Sequence, residues 1–527
     1  MRVLVADPIA EKGIEKLRRE IEVEVAIGLP KEELIRRIGE FDALVTRSET
    51  KATAEVIAAG RRLKVIGRAG VGVDNIDVRA ATEAGILVVN VPGANTVAAA
   101  EHALGLMLAL ARQIPQADAD LKGGQWRRTR FAGSELRGKT LAILGMGRIG
   151  TEVALRAKAF GMEVVAYDPY VSPERAETLG VCLLGLPETL ARADYVSLHL
   201  AKTSETENIL SRERIAMMKR GARLVNCARG GLVDEGALFA ALQAGALAGA
   251  ALDVFAEEPP RARNPLFDLS NVIATPHLAG STVEAQEQNG IIVAELVLQA
   301  LRGEPVLSAV NLPTVGPEEA RTLRPYLEAS TMLGQFGAQA WPEAVDALEL
   351  SLAGDINGGS KALLTNAAIV GLLTGRLDEP INLINARPVA KKRGIEVREA
   401  ATTKASEFTN LITLKLRTGK HERSVAGHVS PRGLRILAIN GYQTDFFPSK
   451  WMIVVEHHDR PGMIGKVGTI LGQKDINIAG MQVARLAARG DAVMVLQIDD
   501  EPGEQVLEAV RQVPGMLTAR KIHLPID

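Results

Sequence analysis

The run GMGRIG at 145–150 sits directly between an apolar segment, TLAIL, and a helix-like one, TEVALRAKAF. A G-x-G-x-x-G in that position is a dinucleotide signature. Gly145 permits the tight turn, Gly147 lets the backbone approach a pyrophosphate, and Gly150 allows the helix to pack closely on the strand. The helix N-terminus that follows offers free N–H groups to the anion. Asp168 ends the next apolar run, EVVAYDP. A carboxylate there can accept from both ribose hydroxyls and repels a 2′-phosphate, which predicts NAD over NADP. The bland alternative is that Asp168 only starts a turn with Pro169.

The place of this unit constrains the rest of the chain. It opens near residue 138, after VLVA (3–6), VEVAI (23–27), ALVT (43–46), KVIG (64–67) and ILVVNVP (86–92) have alternated with helical stretches such as Glu32–Ile38. That alternation reads as a parallel sheet flanked by helices. A long helix starting at Asn95–Thr96 and reaching about 117 leads into the dinucleotide unit, and a second at 283–302 can return to the first domain. The unit is therefore inserted. Its strands are TLAIL, EVVAYDP, YVSLHL, ARLVNCAR, GAALDVF and VIATPH, six in all.

The expected fold is α/β, with two doubly wound parallel-sheet domains. A flavodoxin-like domain at 1–95 and 283–310 holds an inserted Rossmann domain at 96–282. From NLP at 311 the pattern changes. Residues 314–450 mix a helical stretch, GGSK, a basic KKRG at 391–394 and alternating runs such as NLITLKLR, and read as an α+β intervening domain over 311–450. Residues 451–527 follow a ferredoxin-like βαββαβ order.

A chain of 527 residues is too long for one core. Its net charge of −1 gives no electrostatic reason to bind nucleic acid or anionic lipid. The longest apolar run, Ala103 to Ala111, is too short to span a bilayer, and the start has no apolar signal core, so a cytoplasmic location is expected. Two cysteines, Cys182 and Cys227, make neither a disulfide framework nor a metal spacing. No metal site is expected: adjacent His457 and His458 would point to opposite faces of a strand.

Three residues beyond the glycine loop carry chemistry. Arg229, in NCARGG, can hold a carboxylate through its guanidinium fork. Its bland reading is a surface arginine paired with Asp234 or Glu235. His277, in TPH, is one of eight histidines, but Glu258 in EEPP follows a neighbouring strand. A carboxylate on one ring nitrogen fixes the tautomer and leaves the other nitrogen to take the proton of a hydroxyl. Both lie at C-terminal strand ends, where open α/β sheets bind ligands.

The series GMGRIG, NCARGGLVDEGAL, GAALDVFAEEPP and TPHLAGST resembles the D-2-hydroxyacid dehydrogenase family over essentially the whole chain. RAGVGVDNID and the long C-terminus are similar to the branch that oxidises 3-phospho-D-glycerate with NAD at the head of L-serine biosynthesis. Another 2-hydroxy acid, such as glycerate or 2-hydroxyglutarate, is the alternative, and a non-catalytic NAD sensor a more distant one. The resemblance implies catalytic Arg229, Glu258 and His277. It implies cofactor contacts at Val71, Gly145, Gly147, Arg148, Ile149, Gly150, Asp168, Leu200, Cys227, Ala228, Arg229, Asp253, His277 and Gly280. Substrate contacts fall on Arg47, Ser48, Arg68, Asn95 and Arg128, the arginines facing a dianionic phosphate. One departure is visible: the family reads HLGAST where this chain has HLAGST, so a backbone contact at Ala279–Gly280 is in question.

HHDRPGMIGKVGTIL and INIAGMQVAR resemble an ACT domain, a module that binds amino acids at a paired interface. By matching position, His457, Asp459 and Asn477 would bind an L-serine effector. For Asp459, capping of the helix after RPG is the rival reading. Lys415, Arg417, Lys420 and Arg423 form a basic stretch, either an anion site or a solvated strand face. The resemblance also implies a two-fold dimer through the nucleotide-binding domain, extended to a tetramer by ACT pairing.

Overall fold

The computed structural model describes residues 1–260, 264–306, 308–354, 361–377, 380–402 and 410–526. The first sheet holds β1 (Arg2–Val5), β2 (Glu22–Val25), β3 (Ala43–Thr46), β4 (Val65–Arg68) and β5 (Leu87–Asn90). All its pairs are parallel, in the order β2-β1-β3-β4-β5. Strands buried on both faces carry near-continuous apolar runs, as ALVT in β3 does with all four residues buried. The helix Val283–Arg302 returns to this sheet as expected: Val293 and Val297 lie over Gly67 of β4, where a Cβ would meet them at 2.9 and 2.6 Å.

The second sheet holds β6 (Thr140–Leu144), β7 (Glu163–Tyr167), β8 (Cys182–Leu183), β9 (Tyr195–Leu198), β10 (Ala222–Asn226), β11 (Leu247–Leu252) and β12 (Val272–Ala274). It is parallel throughout, in the order β12-β11-β10-β9-β6-β7-β8. The strand order reverses between β6 and β9, and that is where an open α/β sheet makes its crevice. The seventh strand, β8, was not expected from the sequence. Two residues give no readable period.

The long helix expected from Asn95 to about 117 is two helices, Thr96–Arg112 and Ile114–Lys122. Gln113 between them is left-handed, with φ 52°. Pro115 explains the break, because its ring would collide with the carbonyl of Ala111 and it has no N–H to donate. That carbonyl instead accepts from the N–H of Ser134 at 2.9 Å.

The third sheet is mixed: β13 (Ala347–Gly354), β14 (Glu396–Thr402), β15 (Asn410–Thr418), β16 (His421–Ser430), β17 (Gly433–Ile439) and β18 (Tyr442–Phe446), in the order β14-β13-β15-β16-β17-β18. Helices Pro317–Ala340 and Lys361–Leu373 pack on it. Residues 358–360 of the GGSK run lie outside the described residues. The fourth sheet is antiparallel, with β19 (Trp451–His458), β20 (Ile478–Arg485), β21 (Asp491–Ile498) and β22 (Met516–His523) in the order β20-β21-β19-β22.

This last sheet is buried on both faces. Ile453, Val455, Met494 and Leu496 pack under its own helices. The alternate residues Met452, Val454, Val493 and Val495 join one apolar cluster with Leu333 and Phe336 of the Pro317–Ala340 helix. The amide of Gln339 adds a bidentate clip, Nε2 to the carbonyl of His523 at 2.8 Å and Oε1 from its N–H at 2.7 Å. The last two blocks therefore share a core.

Candidate active site

The glycine loop leaves the C-terminal end of β6 at the switch point. Gly150 must be glycine, since a Cβ there would lie 2.0 Å from the carbonyl oxygen of Gly145. Gly147, the residue before the helix Arg148–Ala159, faces open space on the side where a Cβ would stand. Half-buried Asp168 accepts from Met146 N–H at 2.8 Å through Oδ2 and from Tyr170 N–H at 2.9 Å through Oδ1. The turn reading holds, since Asp168 starts the Pro169 turn, and its other oxygen braces the glycine loop. Leu200 packs beside Gly145, and Ile149 is half-buried in the first turn of the helix. These groups fit a dinucleotide: an open helix N-terminus for the pyrophosphate and a carboxylate on the next strand for the ribose.

His277 follows β12 in a left-handed conformation, φ 54°. Its Nδ1 lies 2.8 Å from Glu258 Oε2, and Glu258 Oε1 accepts from the N–H of Phe255 at 3.1 Å. Burial alone would raise the Glu258 carboxyl. The bonds from His277 and Phe255 outweigh it and hold the group below its ordinary value. With Nδ1 engaged, Nε2 is the nitrogen left for a substrate proton.

Asp253 explains why His277 stands where it does. The side chain is fully buried, and its oxygens accept from Thr275 Oγ1 at 2.6 Å, Leu278 N at 2.8 Å and Ala279 N at 2.9 Å. His102 Nε2 stands 3.3 Å from it, and the N–H of His277 reaches the Asp253 carbonyl at 2.9 Å. Burial raises this carboxyl, but His102 and the loop donors together bring it below its ordinary value. The resemblance implies a cofactor contact at Asp253; in the structure its carboxylate holds the 275–279 loop. The backbone contact in question at HLAGST is accounted for locally: the Ala279 N–H binds Asp253, and Gly280 sits against Asn95, where a Cβ would fall 2.8 Å from Nδ2.

Arg229 turns away from Asp234 and Glu235, which correct its bland reading. Asp234 caps the helix Glu235–Gln243, and Glu235 accepts from the N–H of Ala256. The Arg229 guanidinium instead meets Asp74 across the two domains, Nε to Oδ2 at 3.5 Å, and donates to Ala228 O at 2.7 Å. Asn226 shapes this turn by bonding Arg229 O and Ala228 N. Cys227 is buried beside Asp253, and burial pushes its thiol far up, so it is no nucleophile.

Arg68 is the most informative charge in the cleft. Burial, with Arg229 and Arg47 nearby, lowers its guanidinium to about 10. Its buried Nε has no partner among the described residues. Asp74 and Asp7 offset part of the repulsion among the three arginines, and a bound anion would offset more of it. Asn95 Oδ1 is likewise buried and unpartnered, and its side chain caps no helix. Arg47 reaches Ser281 Oγ at 3.5 Å, and its loop is shaped by buried Asp7, which accepts from the N–H groups of Arg47, Glu49 and Thr50. Ser48 is exposed, and Val71 offers its carbonyl to Asn90 Nδ2 at 2.6 Å. Asp7, Asp74 and Asn226 were missed in the sequence. Nothing local marks Asp7 and Asp74, whose partners are a distant loop and a distant arginine, whereas Asn226 bonds the turn two and three residues on and could have been read as a turn former.

Arg128 is not brought to this cluster. It stands exposed in the turn Arg128–Phe131, just before Ser134, which bonds the C-terminal end of the Thr96–Arg112 helix. Asn95 stands at the other end, roughly 25 Å away for 17 helical residues. Arg128 is also absent from the charges acting on Arg68.

In the C-terminal domain Asp459 does not cap the Met463–Gln473 helix, whose N-cap is Gly462. Its Oδ2 pairs with Arg485 Nη1 at 2.5 Å and accepts from Arg489 N at 3.3 Å. The Arg485 bond holds the half-buried carboxyl below its ordinary value. Asn477 Nδ2 donates to Asp499 at 2.7 Å. His457 is buried with Nε2 unpartnered among the described residues. The basic stretch is an ion-paired surface: Lys415 meets Glu349, Arg417 meets Glu396 and Arg423 meets Glu456. Among the described residues no group of three or more His, Cys, Asp or Glu could hold a metal, and no helix is long and apolar enough to cross a membrane.

Three family models match the chain. The NAD-binding domain of D-isomer specific 2-hydroxyacid dehydrogenases matches residues 104–279, the D-3-phosphoglycerate dehydrogenase intervening domain 322–440, and the ACT domain 451–515. A protein of Methanocaldococcus jannaschii named D-3-phosphoglycerate dehydrogenase is 47% identical over 525 residues, covering 99% of this chain and 100% of its own. One of Archaeoglobus fulgidus with the same name is 44% identical over 527 residues, with 99% and 100% covered. The crystal structure of the TT0316 protein from Thermus thermophilus is 42% identical, covers 59% of this chain and 100% of its own, and superposes with a TM-score of 0.56.

Proposed function

The chain belongs to the D-3-phosphoglycerate dehydrogenase family and is an NAD-dependent 2-hydroxyacid dehydrogenase; from that premise we propose which residues perform the reaction. The reaction is the oxidation of 3-phospho-D-glycerate at C2 to 3-phosphooxypyruvate, the first step of L-serine biosynthesis. NAD, when bound, supplies the acceptor for the hydrogen and electron pair that leave C2.

Arg229 receives the substrate carboxylate in exchange for Asp74. Arg47 and Arg68 take the phosphate, and Asn95 Oδ1 accepts from the substrate hydroxyl or the cofactor amide. His277 Nε2 takes the proton of the C2 hydroxyl, while the Glu258 carboxylate stabilises the imidazolium that results. Closure of the arginine-bearing domain over the His277 loop excludes water and strengthens each of these interactions. The remaining cofactor contacts are assigned to the glycine loop, Asp168, Leu200 and the 227–229 turn. The observation that carries this reading is the buried Arg68 Nε, unpartnered among the described residues, in a cleft whose Arg47 and Arg229 flank it.

Further parts of the reading follow from the same geometry. The chain divides at 1–95 with 283–310, 96–282, 311–450 and 451–527. It works as a homo-oligomer, because Arg128 serves a phosphate only if it reaches the cleft of a second copy. Trp126 beside it is 77% exposed, with Leu121 and Ile114 exposed nearby, and these apolar groups fit a dimer contact. A second pairing through the ACT domain would give a tetramer. L-serine is the proposed effector, bound at His457, Asp459 and Asn477, and the protein is assigned to the cytoplasm. The test is NADH production from 3-phosphoglycerate with the product trapped, repeated with serine. Turnover that fails with 3-phosphoglycerate but proceeds with an unphosphorylated hydroxy acid would overturn the substrate assignment.

A further inference from the structure

Two stretches of chain join the domains that must close on each other. One runs from β5 through Pro92 and Gly93 to the helix Thr96–Arg112, which is buried in the core of the NAD-binding domain. The guanidinium of Arg148 reaches this crossing, Nη1 donating to the Pro92 carbonyl at 2.6 Å. Gly93 has φ +113°, and a Cβ there would fall 2.9 Å from the same Nη1. The crossing is thus shaped around the arginine: any side chain at 93 would be strained and would displace it.

Arg148 is also the first residue of the helix that opens the glycine loop. A guanidinium carries five N–H donors, and the Pro92 bond is the sole hydrogen bond or ion pair of its side chain among the described residues. The free donors stand at the loop that receives a pyrophosphate. One rigid fork can therefore bind the anion and the crossing together, which a point charge cannot do.

We propose that Arg148 is a positioning residue that couples cofactor occupancy to the Pro92–Gly93 crossing. With the cofactor bound, the guanidinium is held between pyrophosphate and carbonyl, and the crossing is fixed before the arginine-bearing domain closes on the hydroxy acid. The inference rests on the reading of the glycine loop as the NAD site.

The test is hydrogen–deuterium exchange of the 88–98 segment with and without saturating NADH, in the wild type, Arg148→Lys and Arg148→Gln. Saturation is checked separately by nicotinamide fluorescence. In the wild type, NADH should slow exchange at the crossing about tenfold, within the range of ordinary coupling between sites. Both variants should lose that protection with NADH still bound. Arg148→Lys should also lower kcat/KM for 3-phosphoglycerate about fivefold at saturating NADH. Equal protection in the variants at saturating NADH overturns the coupling and leaves the NAD site intact. A wild type that binds no NADH overturns both.

Discussion

The cleft and the C-terminal effector region treat their polar groups differently. In the cleft, Arg68 Nε and Asn95 Oδ1 are buried without a partner among the described residues, and His277 Nε2 has none among them either. In the C-terminal domain Asp459 is held by Arg485, and Asn477 by Asp499. A buried polar group without a partner costs about 1–3 kcal/mol, so it persists where a ligand completes it. The cleft is therefore poised within one chain. The effector residues are satisfied already, and a ligand there must displace a partner or arrive with a second subunit. His457 alone, with its buried Nε2, resembles the cleft.

The largest effect should follow from breaking the poised side. His277→Ala should lower kcat about 10³-fold, within the usual worth of a general base, with NADH affinity changed less than threefold in a fluorescence titration. Survival of activity would remove His277 from the chemistry and level the contrast.

Asp253→Asn tests how the cleft is held open. Its buried carboxylate serves three loop donors, so kcat should fall about tenfold and stability by about 2 kcal/mol on denaturant unfolding. The carboxyl is depressed in the fold, so its contribution is fully present above the unfolded value of about 3.9 and is lost as pH falls through the lower folded value. The Tm gap between wild type and variant should be constant from about pH 5 to 8 and should shrink below about pH 4. A gap that widens in acid contradicts the assignment.

Asp459→Asn should have the smallest effect on the isolated protein. Its pair with Arg485 lies at the surface, where solvent screens the charges, so its loss should change stability little. Its sharper use is a serine titration, where inhibition should weaken at least about tenfold if the carboxylate meets the effector ammonium. An unchanged serine response would leave Asp459 as a surface partner of Arg485.

The same contrast governs what the sequence disclosed. The parallel sheets were legible because apolar runs and the glycine motif are local signals, and Arg229, Glu258 and His277 do follow strand ends. Pro115 also carried the break at Gln113 in plain view, but the apolar run around it masked the signal. Partnerships made across the fold were not legible. Asp74 meets Arg229 from another domain, Asp7 shapes the loop of Arg47, and Arg485 takes Asp459 from the next strand, where capping had seemed the alternative. Arg128 stands apart from the other arginines for a further reason: the helix Thr96–Arg112 separates it from Asn95, and the direction of that helix was not legible.

The central claim is that Arg47 and Arg68 select a phosphorylated hydroxy acid for the Glu258–His277 pair. The direct test is the ratio of kcat/KM for 3-phosphoglycerate to that for D-glycerate, in the wild type and in Arg68→Gln. A desolvated charge-assisted hydrogen bond contributes about 1.5–3 kcal/mol, so the variant should lose about 10- to 150-fold of that ratio, almost entirely from the phosphorylated substrate. An unchanged ratio, or an equal loss with both substrates, contradicts the account.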